Sequence, residues 1–181
     1  RLAQESVRVV MAVVSIPADF GARRAEAERA AAILGCELRL LVDNACARID
    51  DMKNYQLVGM LDALVRELQP AAVLTHSANE FHRDHVTVHN ACLSTQRLKP
   101  FDFFHFNPTM CRPVPVQFHP RAYVDVTSTI DLKMEAIAAH TSQFGARGLE
   151  AEMYRDLARL TGRMVGVKYA EGIDVGRMLL A

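Results

Sequence analysis

The chain has 181 residues, of which 50% are hydrophobic and 23% are charged, and its 21 basic residues balance its 21 acidic ones. This length and hydrophobic content are those of one domain with its own core. The zero net charge gives no electrostatic reason to expect nucleic acid or a membrane surface as partner. No apolar run approaches the roughly 20 residues of a membrane-spanning helix.

The first half of the chain alternates apolar strands with helices. Val7–Ser15 is a near-continuous run of valine, methionine and alanine, which predicts a strand buried on both faces. An alanine-rich helix is predicted over Ala22–Leu34, and Gly35 stands where a helix C-terminus favours a residue that tolerates positive φ. Glu37–Val42 predicts a second strand.

The alternation continues into the middle of the chain. Lys53–Leu68 carries apolar residues at helical spacing and is followed by Pro70, which predicts a helix that ends there. A third strand is predicted over Ala72–Thr75, and a helix over Asp84–Arg97. This order predicts an α/β fold with a mostly parallel sheet, in which ligands bind outside the carboxyl ends of the strands. The segment His76–His85 lies at such an end.

The second half of the chain is less regular and is rich in Phe, Pro and His between Phe101 and Thr127, a composition suited to the wall of a pocket. The predicted elements are edge strands over Phe101–Phe106 and Ala122–Val126, helices over Ser128–Gln143 and Leu149–Met164, and irregular packing over Val165–Ala181.

The four cysteines are Cys36, Cys46, Cys92 and Cys111, and their positions show no paired metal-ligand spacing. We interpret them as reduced, structural thiols of a cytoplasmic protein. Cys92, ten residues from His82, is the one cysteine worth considering as a nucleophile.

Three of the seven histidines cluster, at His82, His85 and His89. Imidazole is a good zinc ligand, and a catalytic zinc usually takes three protein ligands and a water. His85 and His89 would share a helix face, as in the zinc proteases, but Val86 stands where their glutamate base would be. The alternative is a set of polar residues at a helix start. The position at a strand end, and Asp84 between the histidines, favour a metal or acid–base site.

The segment His82-Arg83-Asp84-His85 resembles the His-Pro-Asp-His motif of the PIG-L/LmbE-like zinc-dependent N-acetylglucosaminyl de-N-acetylases, with Arg83 in place of proline. Each motif of the resemblance is weak alone, whereas the order and spacing of all of them are fairly specific. The further matches run along nearly the whole chain: Arg24–Glu26, Ala30–Gly35, Asp43, Val124–Thr127, Lys133, Ala136, His140–Gln143 and Tyr169–Gly172.

The resemblance implies a Rossmann-like three-layer α/β sandwich that forms a single domain over residues 1–181. The other signature of the family, Ala-His-Pro-Asp-Asp-Glu after its first strand, supplies two zinc ligands and a general base, and it has no counterpart here. We therefore expect a chain truncated at its N-terminus, with the signature and the first strand upstream of Arg1. A chain that truly lacks the signature would be inactive. Glu80 is not an obvious substitute for the missing base.

The resemblance also implies roles for particular residues. His85 would be a ligand of one Zn²⁺ per chain, and His82 would be the acid or oxyanion partner. Asp84 would orient His82, while Arg24 and Asp43 would contact the sugar. The implied reaction is amide hydrolysis that removes the acetyl group from an N-acetylated amino sugar or its conjugate.

Two other functions are weighed against this one. The first is a non-catalytic sugar-binding or assembly domain of the same fold that has lost its metal site. The second is a nucleotidyl transferase of the His-x-Gly-His kind, which is disfavoured because no glycine lies between the histidines and the motif comes late in the fold. The partner is expected to be a small amino-sugar molecule. The sequence leaves open which one it is, and whether the protein is a homo-oligomer.

Overall fold

The computed structural model of the chain describes residues 1–43, 48–107, 117–144 and 151–179. The strands in these ranges are β1 (Val10–Val13), β2 (Glu37–Leu40), β3 (Ala72–His76), β4 (Asp102–Phe106), β5 (Ala122–Asp125) and β6 (Ala170–Arg177). The α-helices are α1 (Phe20–Leu34), α2 (Asn54–Leu68), α3 (Arg83–Thr95), α4 (Ile130–Ala138), α5 (Thr141–Phe144) and α6 (Glu152–Val165). Short 3-10 helices cover Leu2–Glu5 and Ile49–Asp51. Among the helices of the described ranges, none combines the length and the apolar character needed to cross a membrane.

The chain divides into two compact units. Unit 1 consists of Arg1–Arg48 and Val124–Glu171, and unit 2 consists of Ile49–Tyr123 and Gly172–Ala181. The predicted single domain over residues 1–181 stays a prediction.

Unit 1 is built around helix α1. Strands β1 and β2 pair in parallel, and α1 packs against β2, α4 and α5. The helix ends at Gly35, whose φ of 68° is the left-handed conformation predicted for a glycine at this position. Its buried positions are mostly alanine, which lets neighbouring elements approach closely. A second group of buried residues in this unit joins α4 and α6 through Val126, Ile130, Ala158 and Tyr169.

Unit 2 carries the strand that leads into the histidine segment. Strands β3 and β4 pair in parallel, from Ala72 opposite Asp102 to His76 opposite Phe106. Helices α2 and α3 pack on each other, and α3 packs on β3. Of the apolar residues at helical spacing, Leu64 and Leu68 of α2 are only partly buried. The others are buried as predicted: Leu57, Leu61 and Val65 in α2, and Val88, Ala91 and Cys92 in α3.

The predicted α/β class is confirmed, with one parallel pair of strands and one mixed sheet in the order β3-β4-β6-β5. Three local predictions are wrong. Phe101–Phe106 is not an edge strand, because β4 has β3 on one side and antiparallel β6 on the other. Val165–Ala181 is not irregular, because it contains β6. Val7–Ser15 is not buried on both faces, since Ala12 is exposed and β1 has β2 as its sole strand neighbour in the described part of the chain.

A glycine sets the distance between α6 and the start of β6. A Cβ at Gly162 would lie 2.8 Å from the backbone atoms of Lys168 and Tyr169. We therefore expect Gly162→Ala to lower the free energy of unfolding by about 1–3 kcal/mol, because the backbone must shift to admit a methyl group. Urea denaturation followed by circular dichroism measures the change.

Gly59 is the matched control, because it lies within α2 and a Cβ there would meet nothing within 4 Å. Gly59→Ala should raise the free energy of unfolding by up to about 1 kcal/mol, since alanine is the better helix former. Equal effects of the two substitutions would contradict the close approach at Gly162.

Candidate active site

The segment between β3 and α3 is held by local hydrogen bonds at the carboxyl end of β3. The backbone N–H of Ser77 donates to the carbonyl oxygen of Phe106 at 2.7 Å, which extends the pairing of β3 with β4. The backbone N–H of Asn79 donates to the Ser77 hydroxyl at 3.0 Å. His82 is the N-cap residue of α3 with an extended backbone, so the chain turns into the helix there. This places the histidine segment at the end of the strand where ligands bind in parallel sheets.

Three imidazole rings gather at this end of β3. The ring of His76, the last residue of β3, stacks on that of His85 with a centroid separation of 4.0 Å and an interplanar angle of 7°. The His82 ring lies 4.8 Å from the His85 ring at 29°. Burial, with the nearby His85 as a smaller cause, lowers the pKa of His76 to about 4. Burial also lowers the pKa of His85. Both rings are therefore neutral at pH 7, the form in which imidazole binds a metal.

Glu80 lies beside His85, with a side chain that has no exposed surface. Its Oε1 accepts hydrogen bonds from the backbone N–H groups of Phe81 at 2.7 Å and His82 at 3.3 Å. Its Oε2 lies 3.8 Å from Nδ1 of His85. From its place in the sequence, Glu80 is only a candidate substitute for the missing base, and not an obvious one. The role of Glu80 as an acceptor for backbone N–H groups has one local signal in the sequence. It is an acidic residue shortly before a helix start, where the backbone N–H groups need acceptors.

Asp84 follows His82 in the first turn of α3. One of its carboxylate oxygens lies 4.0 Å from Nδ1 of His82, which is too long for a hydrogen bond. The His82 side chain is 56% exposed, so its ring can turn to meet either Asp84 or a bound molecule. The role of Asp84 in orienting His82 stays a prediction.

The His89 ring is engaged in a hydrogen bond within the protein. Its Nδ1 lies 2.8 Å from the carbonyl oxygen of His76, and His89 must be the donor because a carbonyl can only accept. The ring meets that of His105 edge-on at 4.8 Å. His105 in turn has Nδ1 3.9 Å from Asp174, which accepts a hydrogen bond from Arg121 at 2.5 Å. His89 therefore fastens α3 to β3, and this contact does not favour a protease-like pair with His85.

The two predicted sugar-contacting residues lie in unit 1, where they pair with each other. Nη1 of Arg24 donates to Asp43 at 2.7 Å, and Nε of Arg24 donates to Glu28 at 3.0 Å. The Arg24 and Asp43 side chains are 41% and 56% exposed. Their contact with a sugar stays a prediction, as do the roles of His82, Asp84 and His85, which lie together in unit 2.

Two cysteines fall within the described residues, and both are free thiols. Cys92 is buried, and burial raises the pKa of its thiol. A raised pKa disfavours the thiolate that a nucleophile requires, so this environment is that of a structural residue. Cys46 and Cys111 lie outside the described residues.

One residue in the described ranges fits a zinc ligand particularly well. Burial lowers the pKa of His85, which favours its neutral form, and the ring is held by stacking on His76. No group of three His, Cys, Asp or Glu side chains in those ranges is arranged to hold a metal ion. A catalytic zinc usually takes three protein ligands. The described residues thus fit one position of a zinc site and do not complete it.

Comparison with known proteins gives a family match over part of the chain, and a fold. Residues 9–95 match the family model described as PIG-L: GlcNAc-PI de-N-acetylase. The conserved protein TT1542 from Thermus thermophilus is similar at 21% identity and a TM-score of 0.81, over 100% of this chain and 87% of that one. A search of curated proteins gives no significant match.

Two further solved structures carry named activities. GalB, the 4-carboxy-2-hydroxymuconate hydratase from Pseudomonas putida, is similar at 21% identity and a TM-score of 0.74, over 99% of this chain and 88% of that one. The N,N'-diacetylchitobiose deacetylase from Pyrococcus horikoshii is similar at 20% identity and a TM-score of 0.71, over 96% of this chain and 74% of that one. At these identities the likeness shows the fold, which confirms the predicted PIG-L/LmbE-like architecture.

Proposed function

From the match of residues 9–95 to the PIG-L family, we propose that this protein is a zinc-dependent hydrolase. It removes the acetyl group from an N-acetylated amino sugar or its conjugate by hydrolysis of a linear amide. The observation that carries the proposal is the His85 ring, stacked on His76 at the carboxyl end of β3 and close to the buried Glu80. This position is where the family motif and the general rule for parallel sheets both place ligands.

The metal is proposed to be one zinc ion per chain. When bound, zinc would polarise an amide carbonyl and would lower the pKa of a coordinated water to about 7. His85 would contribute one ligand, and the other ligands would lie outside the described residues.

His82, oriented by Asp84, would donate a proton to the leaving amine. The exposed His82 ring can reach a substrate, and a histidine with a proton to donate can give it to the nitrogen as the amide bond breaks. Asp84 would orient the His82 ring, as the aspartate orients the histidine of a catalytic triad. Arg24 and Asp43 would contact sugar hydroxyl groups.

We expect the intact protein to bind about one zinc per chain and to release acetate from an N-acetylated amino sugar. Treatment with a chelator such as dipicolinate should abolish that release, and added zinc should restore it. Elemental analysis gives the zinc content, and an amine-reactive fluorophore measures the free amine. The panel includes free N-acetylglucosamine, its inositol and malate conjugates, and chitooligosaccharides.

Three outcomes would contradict the proposal. The absence of metal from the intact protein would favour the non-catalytic sugar-binding or assembly domain. Acetate release that survives chelation would exclude the metal from the reaction. A zinc protein that hydrates an unsaturated acid but deacetylates no amino sugar would point to the kind of reaction named for the Pseudomonas putida relative.

A further inference from the structure

We propose that Glu80 is a positioning residue that keeps the proton of His85 on Nδ1 and so presents Nε2 as the metal-binding nitrogen. The ligand role of His85 rests on the proposed function, whereas the tautomer is a property of the protein without metal. Both side chains belong to unit 2.

The His85 ring has little freedom to turn. It stacks on the His76 ring at 4.0 Å with an interplanar angle of only 7°, and the His82 ring lies 4.8 Å away. Its Nδ1 is buried. A ring held in this plane presents its two nitrogens to different surroundings, so the groups near each nitrogen decide which one carries the proton.

A carboxylate oxygen is the group near Nδ1 of His85. Oε2 of Glu80 lies 3.8 Å from that nitrogen, on a side chain with no exposed surface. A carboxylate is an acceptor and carries negative charge. At this distance it acts through its charge, which favours an N–H dipole directed toward it, and a shift of less than about 1 Å would complete a charge-assisted hydrogen bond. Nε2 then keeps its lone pair, as in the carboxylate–histidine–metal arrangement found behind many metal ligands.

The other oxygen of Glu80 already accepts hydrogen bonds from the backbone. Oε1 accepts from the backbone N–H groups of Phe81 and His82, so an oxygen is required at that position. In a Glu80→Gln variant the amide oxygen has to stay there, which turns the NH₂ group toward His85. A donor facing Nδ1 makes that nitrogen the acceptor and moves the proton to Nε2. The substitution keeps the shape and reverses the hydrogen-bond polarity.

The test records the tautomer directly. In metal-free protein labelled with ¹⁵N-histidine at a pH of about 7.5 or above, where imidazole is neutral, a long-range ¹H–¹⁵N correlation spectrum distinguishes a protonated ring nitrogen from an unprotonated one. We expect wild-type His85 to carry its proton on Nδ1 and Glu80→Gln to carry it on Nε2. The His85→Asn variant assigns the signal by its loss. Wild-type His85 with the proton on Nε2 would overturn the proposal without any variant.

Asp84→Asn is the matched control, because it removes a negative charge one residue from His85 without changing the group that faces Nδ1. It should leave the His85 tautomer unchanged, and a reversal there equal to that of Glu80→Gln would overturn the proposal. Competition with a chromophoric chelator adds a second measurement, in which Glu80→Gln should bind zinc roughly 10–100-fold more weakly than wild type. Equal zinc affinities in the two proteins would also overturn it. If the intact wild type binds no zinc, the proposed function fails, yet the tautomer of His85 is still decided by the spectra.

Discussion

His85→Ala is expected to abolish zinc binding and deacetylation together, whereas His82→Ala is expected to keep the zinc and lose rate. The reason lies in the two environments. His85 is held by stacking and is neutral, as a ligand must be. The His82 side chain is 56% exposed at the start of α3, where it can meet a substrate and give up a proton. General acid catalysis contributes about 10²–10⁴-fold to a rate, and this is the loss expected for His82→Ala.

The measurement pairs zinc content per chain with kcat and KM for each variant. His119→Ala is the control, since His119 is an exposed histidine in the same unit, outside the ring cluster. It should keep both zinc and activity. Normal turnover in both the His85 and the His82 variants would show that this is not the active site. Loss of zinc from the His82 variant would instead make His82 a ligand.

The histidine motif could be found in the sequence because it is local. His82, Asp84 and His85 fall within a single helical turn, and the strand before them has a clear apolar pattern. The contribution of Glu80 could not be found in the same way. Its acceptor role depends on two backbone N–H groups and on the path of the loop, and neither of these leaves a pattern of side chains in the sequence.

Strand β6 shows why part of the fold was missed. It contains Gly172 and Gly176, and glycine within a segment lowers the local evidence for a strand. At both positions a neighbouring side chain leaves no room for a Cβ. A Cβ at Gly172 would lie 2.6 Å from Pro120, and one at Gly176 would lie 2.7 Å from the ring of His105. These neighbours come from distant parts of the sequence, so local periodicity could not reveal the reason for the glycines.

The motifs of the second half were recognised one at a time, and the structure joins them in pairs within unit 1. Lys133 of α4 forms an ion pair with Glu171. The backbone N–H of Val126 donates to the carbonyl oxygen of Tyr169 at 3.0 Å, and the backbone N–H of Tyr169 donates to the Thr127 hydroxyl at 3.1 Å. Matching residues to a family can identify such segments without telling which ones touch. These contacts give Lys133 and Thr127 a structural role in fastening strand to helix.

A further pair of motifs meets at Glu26, which joins the first helix to the segment His140–Gln143. The Glu26 side chain is buried and accepts hydrogen bonds from the Thr141 hydroxyl at 2.9 Å and from the backbone N–H and hydroxyl of Ser142, each at 2.7 Å. We expect Glu26→Ala to lower the free energy of unfolding by roughly 3 kcal/mol at pH 7, because three donors lose a charged acceptor in a buried place. Urea denaturation measures the loss.

The dependence on pH distinguishes the charge of Glu26 from its volume. Burial raises the pKa of Glu26, but the hydrogen bonds from Ser142 and Thr141 and the nearby His140 together lower it below its ordinary value. In the unfolded chain this carboxyl takes up its proton near a pH of about 4.3, so the unfolded state binds the proton at a higher pH than the folded state does. The charged carboxylate therefore stabilises the fold above that pH, and the stabilisation is lost as the pH falls through the lower pKa of the folded state.

Glu26→Gln keeps the volume and removes this titration. Its free energy of unfolding should be lower than that of wild type by the largest amount at pH 7. This difference should shrink progressively below about pH 4.3, the pKa of the carboxyl in the unfolded chain. Glu28→Gln is the control, since Glu28 lies on the same helix with a side chain 53% exposed in its ion pair with Arg24. That variant should stay within about 0.5 kcal/mol of wild type throughout. A Glu26→Gln deficit that stays constant as the pH falls from neutral to well below the unfolded pKa would show that Glu26 does not hold its charge preferentially in the folded state. The link between α1 and α5 would then depend on shape rather than on the carboxylate.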